Sequence, residues 1–237
     1  MAKGRSYEIV ADFERPSADL IEKAKDLYVC LVGGEVGPRY TMDPGIKPLE
    51  REWCVCGPAV TVRPEHTDDV LMSMFAGKYI KPGDVLVVDA GGDTRAAAFG
   101  ASMANGIREV GGVGIIVDGY VLTSEIIRKR ENIPVFCRGT IARSNKAERP
   151  GWINVPAICG GVIVNPGDLI LGDEDGVVVV PKDWIADIVK ETAGDRKDGA
   201  KRPEGGKYPA REEEDEPYYA RRKIEDKLKN MDRIIWR

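Results

Sequence analysis

The sequence predicts an α/β fold in which a parallel βαβ part is followed by a β-rich part and then a C-terminal helical arm. Three observations carry this reading. Val85 to Val88 is a continuous apolar run, as expected of a strand covered on both faces, and Val113 to Val117 repeats the pattern after Gly111-Gly112. The residues between them are numerous enough for a crossover helix, so the two strands should be parallel neighbours with a right-handed connection. Further on, "GGVIVNPGDLILGDEDGVVVVP" separates apolar runs by Asn165-Pro166-Gly167-Asp168 and by Asp173-Glu174-Asp175-Gly176, which are hairpin-type turn chemistries.

In chain order, the first element is a short helix from about Ser17. Ser17 can cap it, Leu20, Ile21 and Ala24 recur at helical spacing, and Gly33-Gly34 should break the pattern. A turn-rich stretch follows, "GGEVGPRYTMDPGIKPL", with Glu35 and Arg39 as charged loop residues. "CVCGPAVTVRP" reads as a strand ending at Pro64, and Gly91-Gly92 reads as a turn into an alanine-rich helix before the second apolar strand. "SEIIRKRENIPVFCRG" then supplies helix, proline and strand, a shorter third repetition.

Composition limits the function classes. The chain has 237 residues, 43% apolar and 31% charged, with a formal net charge of −4, so it can bury one full core and lacks the basic excess that a nucleic-acid partner requires. "MAKGRSYEIV" lacks the apolar centre of a signal peptide and no run suffices to span a bilayer, so no membrane association is expected and the expected location is the cytoplasm. Five cysteines, Cys30, Cys54, Cys56, Cys137 and Cys159, form neither an even disulfide framework nor a pair of zinc ligands and read as reduced thiols. His66 is the one histidine in the chain, which argues against triads and histidine-rich metal sites and leaves it a solvated surface residue.

Residues 1–193 read as the folded domain and 194–237 as an extension. "DRKDGAKRPEGGKYPAREEEDEP" is too charged and too rich in glycine and proline to fold alone. Ile224, Leu228, Met231 and Ile235 then recover a helical stripe that needs an apolar groove, expected on a neighbouring subunit.

Small anions bind where strand ends meet helix N-termini, because unpaired amides and the helix dipole favour negative charge there. The turns "AGGDTRAAAFG" and "DGYVLTSE" occupy such positions and should flank one crevice whose polar inventory is Asp89, Asp93, Arg95, Asp118, Thr123, Ser124 and Glu125. Neither a P-loop nor a GxGxxG fingerprint is present, so a nucleotide is a poor fit.

"MDPGIKPL", "GPAVTV", "KPGDVLVVDAGGDTRAAAFG", "GVGIIVDG", "IPVFCRGT" and "NVPAICGGVIVNPGDLILGDEDGVVVVP", in this order, resemble the RraA-like family, from about Met42 to Pro181. That family holds the ribonuclease regulator A and the 4-hydroxy-4-methyl-2-oxoglutarate/4-carboxy-4-hydroxy-2-oxoadipate aldolases. The resemblance implies a swivelling ββα domain that assembles as a trimer or a hexamer with sites between subunits. It also implies a magnesium- or manganese-dependent retro-aldol or decarboxylation reaction on a small oxo-acid. Breaking a carbon–carbon bond beside a ketone leaves an enolate, whose charge a divalent cation stabilises while an arginine grips the carboxylate.

Carried over by resemblance, the substrate-binding positions are Gly100, the amides of Ser102 and Met103, and Leu122 and Thr123. The last two stand where the aldolases carry an Arg-Asp dipeptide, and Ala101 stands where an acidic residue is common. Leucine brings no donor, and a threonine hydroxyl is a poor ligand for a hard cation. Two readings stay open. In one, a carbon–carbon lyase of altered specificity uses Asp118, Glu125 or Arg95, with Asp93 as a further candidate, for catalysis and Asp118 with Thr123 for the metal. In the other, the chain is a non-catalytic binding or regulatory protein.

Overall fold

The computed structural model describes residues 6–194, so the expected helix at Ile224 to Ile235 and its docking lie outside the described residues. The main sheet is built on β2 (Val55–Pro64), β3 (Val85–Phe99), β4 (Gly114–Val121) and β5 (Val135–Thr140), all parallel neighbours in that order. The short strand β1 (Lys47–Pro48) closes the β5 edge in the antiparallel sense. On its other edge β2 is shared: Val55–Pro58 pairs antiparallel with β9 (Leu169–Asp173), and Val62–Pro64 pairs with β6 (Gly151–Ile153). β10 (Gly176–Val180) completes this side through a hairpin with β9.

Both faces of the parallel part are covered, which explains its unbroken apolar runs. Leu86 and Val88 point toward α3 (Leu71–Ala76) and α4 (Ala101–Glu109), where Ala104 and Ile107 meet them. Val85 and Val87 point the other way, into a cluster with Ile170 and Val179 of the hairpin and with Cys159, Val162 and Val164. Those last residues belong to a separate ribbon of β7 (Ala157–Cys159) and β8 (Val162–Val164). Behind the hairpin, α1 (Ala18–Ala24), α2 (Val29–Val36) and α6 (Ile185–Gly194) form a third cluster around Leu171, Val178 and Ile185.

Three local expectations are corrected. Ser17 does cap α1 by accepting from the Leu20 amide at 3.4 Å, but Gly33-Gly34 lies inside α2, and Glu35 therefore sits in a helix. A Cβ at Gly33 would already touch Val178 at 3.4 Å, so its absence lets α2 approach β10 closely. The alanine-rich stretch is strand: Ala96, Ala97 and Ala98 are buried in β3, and the helix begins only at Ala101. Ala98 packs there against Gly119 of β4, where an added Cβ would meet the methyls of Ala90 at 3.0 Å and Ala98 at 3.5 Å. The third correction concerns the turn at Asn165–Asp168. It leads from β8 into a different sheet rather than closing a hairpin, whereas the Gly160-Gly161 turn closes β7 on β8.

Beyond Val88 the pairing of β3 with β4 becomes irregular. β3 runs from Val88 to Phe99 while its partner advances only from Val117 to Val121, the register slipping between Val88 and Asp93, between Asp93 and Ala97 and between Ala97 and Phe99, with Gly91 and Gly92 turning the first slip at φ of 62° and 69°. This excursion delivers Gly100 and the start of α4 to the end of β4.

Candidate functional site

The two glycine-marked bends converge. The Leu122 amide donates to the Phe99 carbonyl at 3.0 Å, and the Ala101 amide donates to Thr123 Oγ1 at 2.9 Å. The Thr123 hydroxyl in turn donates to the Leu122 carbonyl at 2.6 Å, so both its lone-pair and its proton functions are engaged within the corner. Thr123 is held at φ 54°, a left-handed conformation that a β-branched residue adopts only under strain. A Cβ on Gly100 would meet Leu122 Cδ1 at 3.0 Å, which shows how closely the leucine covers that glycine.

A cavity of about 440 Å³ opens beside this corner. One wall is Gly100 to Met103, and the facing wall is Leu122, Thr123 and Ile126 from the start of α5 (Ser124–Ile126). Val70 and Met74 also line it, with Asn145 next to Lys146, whose carbonyl accepts from the Val70 amide at 2.8 Å, and so do Arg130 and Glu131. Of the amides at the head of α4, that of Ala101 is taken by Thr123, and those of Met103 and Ala104 both reach Gly100 O at 3.1 Å. The Ser102 amide is left without an acceptor among the described residues, at the positive end of the helix dipole. The cavity therefore combines one open amide, one guanidinium, the Glu131 carboxylate and the Asn145 amide with an apolar wall.

The other candidate residues lie elsewhere. Asp118 is 4% exposed and is fully engaged: Arg138 Nε reaches its Oδ1 at 2.5 Å, and the Gly160 amide donates to its Oδ2 at 2.9 Å. Arg138 also pairs with Asp43 at 3.1 Å, so this cluster ties β4, β5 and the β7–β8 turn together. Glu125 is an exposed partner of Lys129 at 2.8 Å. Arg95 is exposed and grips Asp93 at 2.8 Å, while Thr67 donates to the same carboxylate at 2.5 Å; these two contacts hold Asp93 well below the usual carboxylate range, the arginine contributing most. Asp89 is half-buried and its pKa is raised, chiefly by desolvation, although the Ile158 and Gly91 amides donate to it. The single inventory read from sequence is thus divided among three places.

Arg130, Glu131 and Asn145 were not singled out in the sequence. Arg130 and Glu131 lie within a π-helical turn, Ile127–Glu131, closed by Asn132 donating to Ile127 O at 2.9 Å, and no local spacing signals such a turn; Asn145 comes from the loop after β5 and donates to the Ala97 carbonyl at 2.8 Å. His66 is exposed, with Nε2 2.8 Å from Arg149. Burial pushes the Cys56 thiol up to about 12 and the Cys137 thiol up to about 11, which closes them to thiolate chemistry at neutral pH.

The donor set does not fit the magnesium or manganese that the family resemblance implies. Leu122 has no ligand atom, the Thr123 hydroxyl is already engaged, and Asp118 is committed to Arg138 and is absent from the cavity wall. Among the described residues, no three of His, Cys, Asp or Glu gather as a metal site, and no helix is long and apolar enough to cross a membrane.

Comparison with known proteins gives a consistent lineage. The RraA-like (Aldolase/RraA) family model matches residues 17–179. A Halalkalibacterium halodurans protein named "Putative 4-hydroxy-4-methyl-2-oxoglutarate aldolase" is 41% identical over 148 residues, covering 62% of this chain and 69% of its own. The 4-hydroxy-4-methyl-2-oxoglutarate aldolase of Thermus thermophilus is 36% identical over 102 residues, covering 42% of this chain and 60% of its own. Among solved structures, Streptomyces coelicolor RraAS2, described as an unusual member of the RNase ES inhibitor RraA family, superposes with a TM-score of 0.70. It is 31% identical and the match covers 79% of this chain and 96% of that one.

Proposed function

Since the chain belongs to the RraA-like family, we propose that it is a carbon–carbon lyase of the aldolase or decarboxylase type, acting on a small oxo-acid or related carboxylate of altered structure. The observation that carries this reading is the junction of the Gly100–Met103 and Leu122–Thr123 bends on one cavity, with the Ser102 amide open to it. Cleavage beside a ketone places negative charge on the ketone oxygen. A fixed amide at a helix N-terminus meets that charge without reorganising. Leu122 and Ile126 give the same corner an apolar wall. No step is assigned to a divalent cation, because the side chains at this corner do not compose a site for one.

The names of relatives support the lyase class at the level of the family, and the substrate is inferred from this chain's own walls. Where the aldolases carry a charged dipeptide, this chain offers leucine and threonine, so its substrate should carry an apolar arm there. We also take the chain to act as a cytoplasmic homo-oligomer, a trimer or hexamer, without nucleic-acid or membrane partners. Light scattering on the purified protein tests the assembly. The test of activity is release of pyruvate from oxaloacetate, and of the corresponding 2-oxo acids from 4-hydroxy-2-oxo acids, measured with and without a chelator. Release supports the lyase.

A second reading is favoured by one specific observation: the corner lacks both side chains that handle charge in the aldolases, while one solved relative is described as an RNA-processing inhibitor and another as an unusual member of the RNase ES inhibitor RraA family. On that reading the chain is a binding protein, and no oxo-acid is turned over under any metal condition.

A further inference from the structure

The lyase reading leaves one requirement unmet, a guanidinium for the substrate's carboxylate, because Leu122 stands at the arginine position. We propose that Arg130, placed by Glu131 on the π-turn, is the carboxylate-binding and specificity-determining residue of this chain. This rests on the lyase reading above. The ligand class it selects is a 2-oxo acid with its carboxylate at Arg130, its ketone oxygen at the Ser102 amide and an apolar arm along Leu122 and Met103.

Four observations converge on this assignment. Arg130 and Glu131 border the same cavity as Gly100, Ser102 and Leu122. Arg130 and Glu131 lie within the π-turn Ile127–Glu131, whose two end residues, Ile127 and Glu131, are buried while Arg130 is exposed at the cavity rim. Glu131 is 5% exposed, yet its two guanidinium neighbours stand off, Arg130 Nε at 3.6 Å and Arg108 at 3.7 Å. Those separations exceed hydrogen-bond length, so the negative charge keeps the Arg130 guanidinium near the rim without occupying its fork. Finally, Arg130 is 81% exposed, so an incoming carboxylate can capture it by a side-chain rotation alone.

Lys129 provides the control. It carries the same charge on the same turn but pairs with Glu125 and does not border the cavity. The experiment measures oxalate, a planar mimic of the enolate of pyruvate, binding to the full chain by calorimetry, together with pyruvate release from oxaloacetate. Arg130→Ala should weaken oxalate on the order of 10- to 100-fold and raise KM in step. Arg130→Lys should recover part of the loss, and Lys129→Ala should bind as wild type does. For Glu131, Gln should raise KM while leaving kcat, and Asp should restore it; a melting curve confirms that each variant is folded.

If wild type turns over oxaloacetate and Arg130→Ala does so equally well, this assignment fails and the lyase reading stands. The assignment is equally overturned if Lys129→Ala weakens oxalate as much as Arg130→Ala, since the effect would then be one of overall charge. If wild type neither binds oxalate nor releases pyruvate, both fall together.

Discussion

Asp118 sits at a strand end where catalytic carboxylates are expected, yet its surroundings assign it to the scaffold, and replacing it by alanine separates the two roles. Its carboxylate is 6% exposed, accepts a charged hydrogen bond from Arg138 and a backbone bond from Gly160, and borders a separate cavity with Asp89 and Arg63 rather than the one at Gly100. Removing one partner of a buried ion pair costs about 3–5 kcal/mol, because the other charge stays buried. Arg138 is 22% exposed and keeps Asp43, so the lower end applies, about 3 kcal/mol. For domains of this size each kcal/mol lowers Tm by about 2–4 °C, giving a fall of about 6–12 °C, with the urea midpoint reduced and the m-value unchanged. Asp118→Asn, which can still accept from Gly160, should fall between wild type and Ala. Equilibrium unfolding in urea is the assay. A loss under about 1 kcal/mol for Asp118→Ala, with activity abolished, would refute the structural assignment and return Asp118 to the chemistry.

Other consequences can be checked on the same protein. Thr123→Val keeps the shape of the side chain and deletes the acceptor of the Ala101 amide, so it should cost about 1–2 kcal/mol in urea and weaken oxalate binding. The double change Leu122→Arg with Thr123→Asp supplies the dipeptide of the aldolases, and should make oxaloacetate decarboxylation respond to magnesium on the order of tenfold or more in an assay with and without chelator. Asp93 is held below its unfolded value, so its contribution is complete above about pH 4 and is lost as pH falls through the folded value. Urea midpoints at neutral and strongly acidic pH should therefore differ less for Asp93→Asn than for wild type.

Much of the frame was legible in the sequence because it depends on continuous apolar runs. Val85–Val88 and Val113–Val117 could be read as doubly covered strands, and Asp173–Gly176 as a hairpin, since each signal is local. Ala96–Ala98 misled for a physical reason: alanine favours helix in isolation, but here the stretch is buried in β3, where Ala98 is held small by the close approach of Gly119, a tertiary constraint. The convergence of Gly100 with Leu122–Thr123 was readable from two glycine-marked strand ends. The division of the acidic residues was not, because Asp118 is claimed by Arg138 from the next strand and Asp93 by Arg95 and Thr67. Arg130 and Glu131 fall in a stretch whose sequence reads simply as helix, whereas they occupy a π-turn beside the cavity.

The regular pairing of β3 with β4 ends at Val88 and Val117, before either chain reaches the corner that faces the cavity. Positions 122 and 130 therefore hang from a frame whose stability is settled upstream of them. Such separation lets a lineage exchange one reactive corner for another while the paired part of its sheet stays untouched, and it makes those two positions the natural handles for redesigning what the crevice accepts.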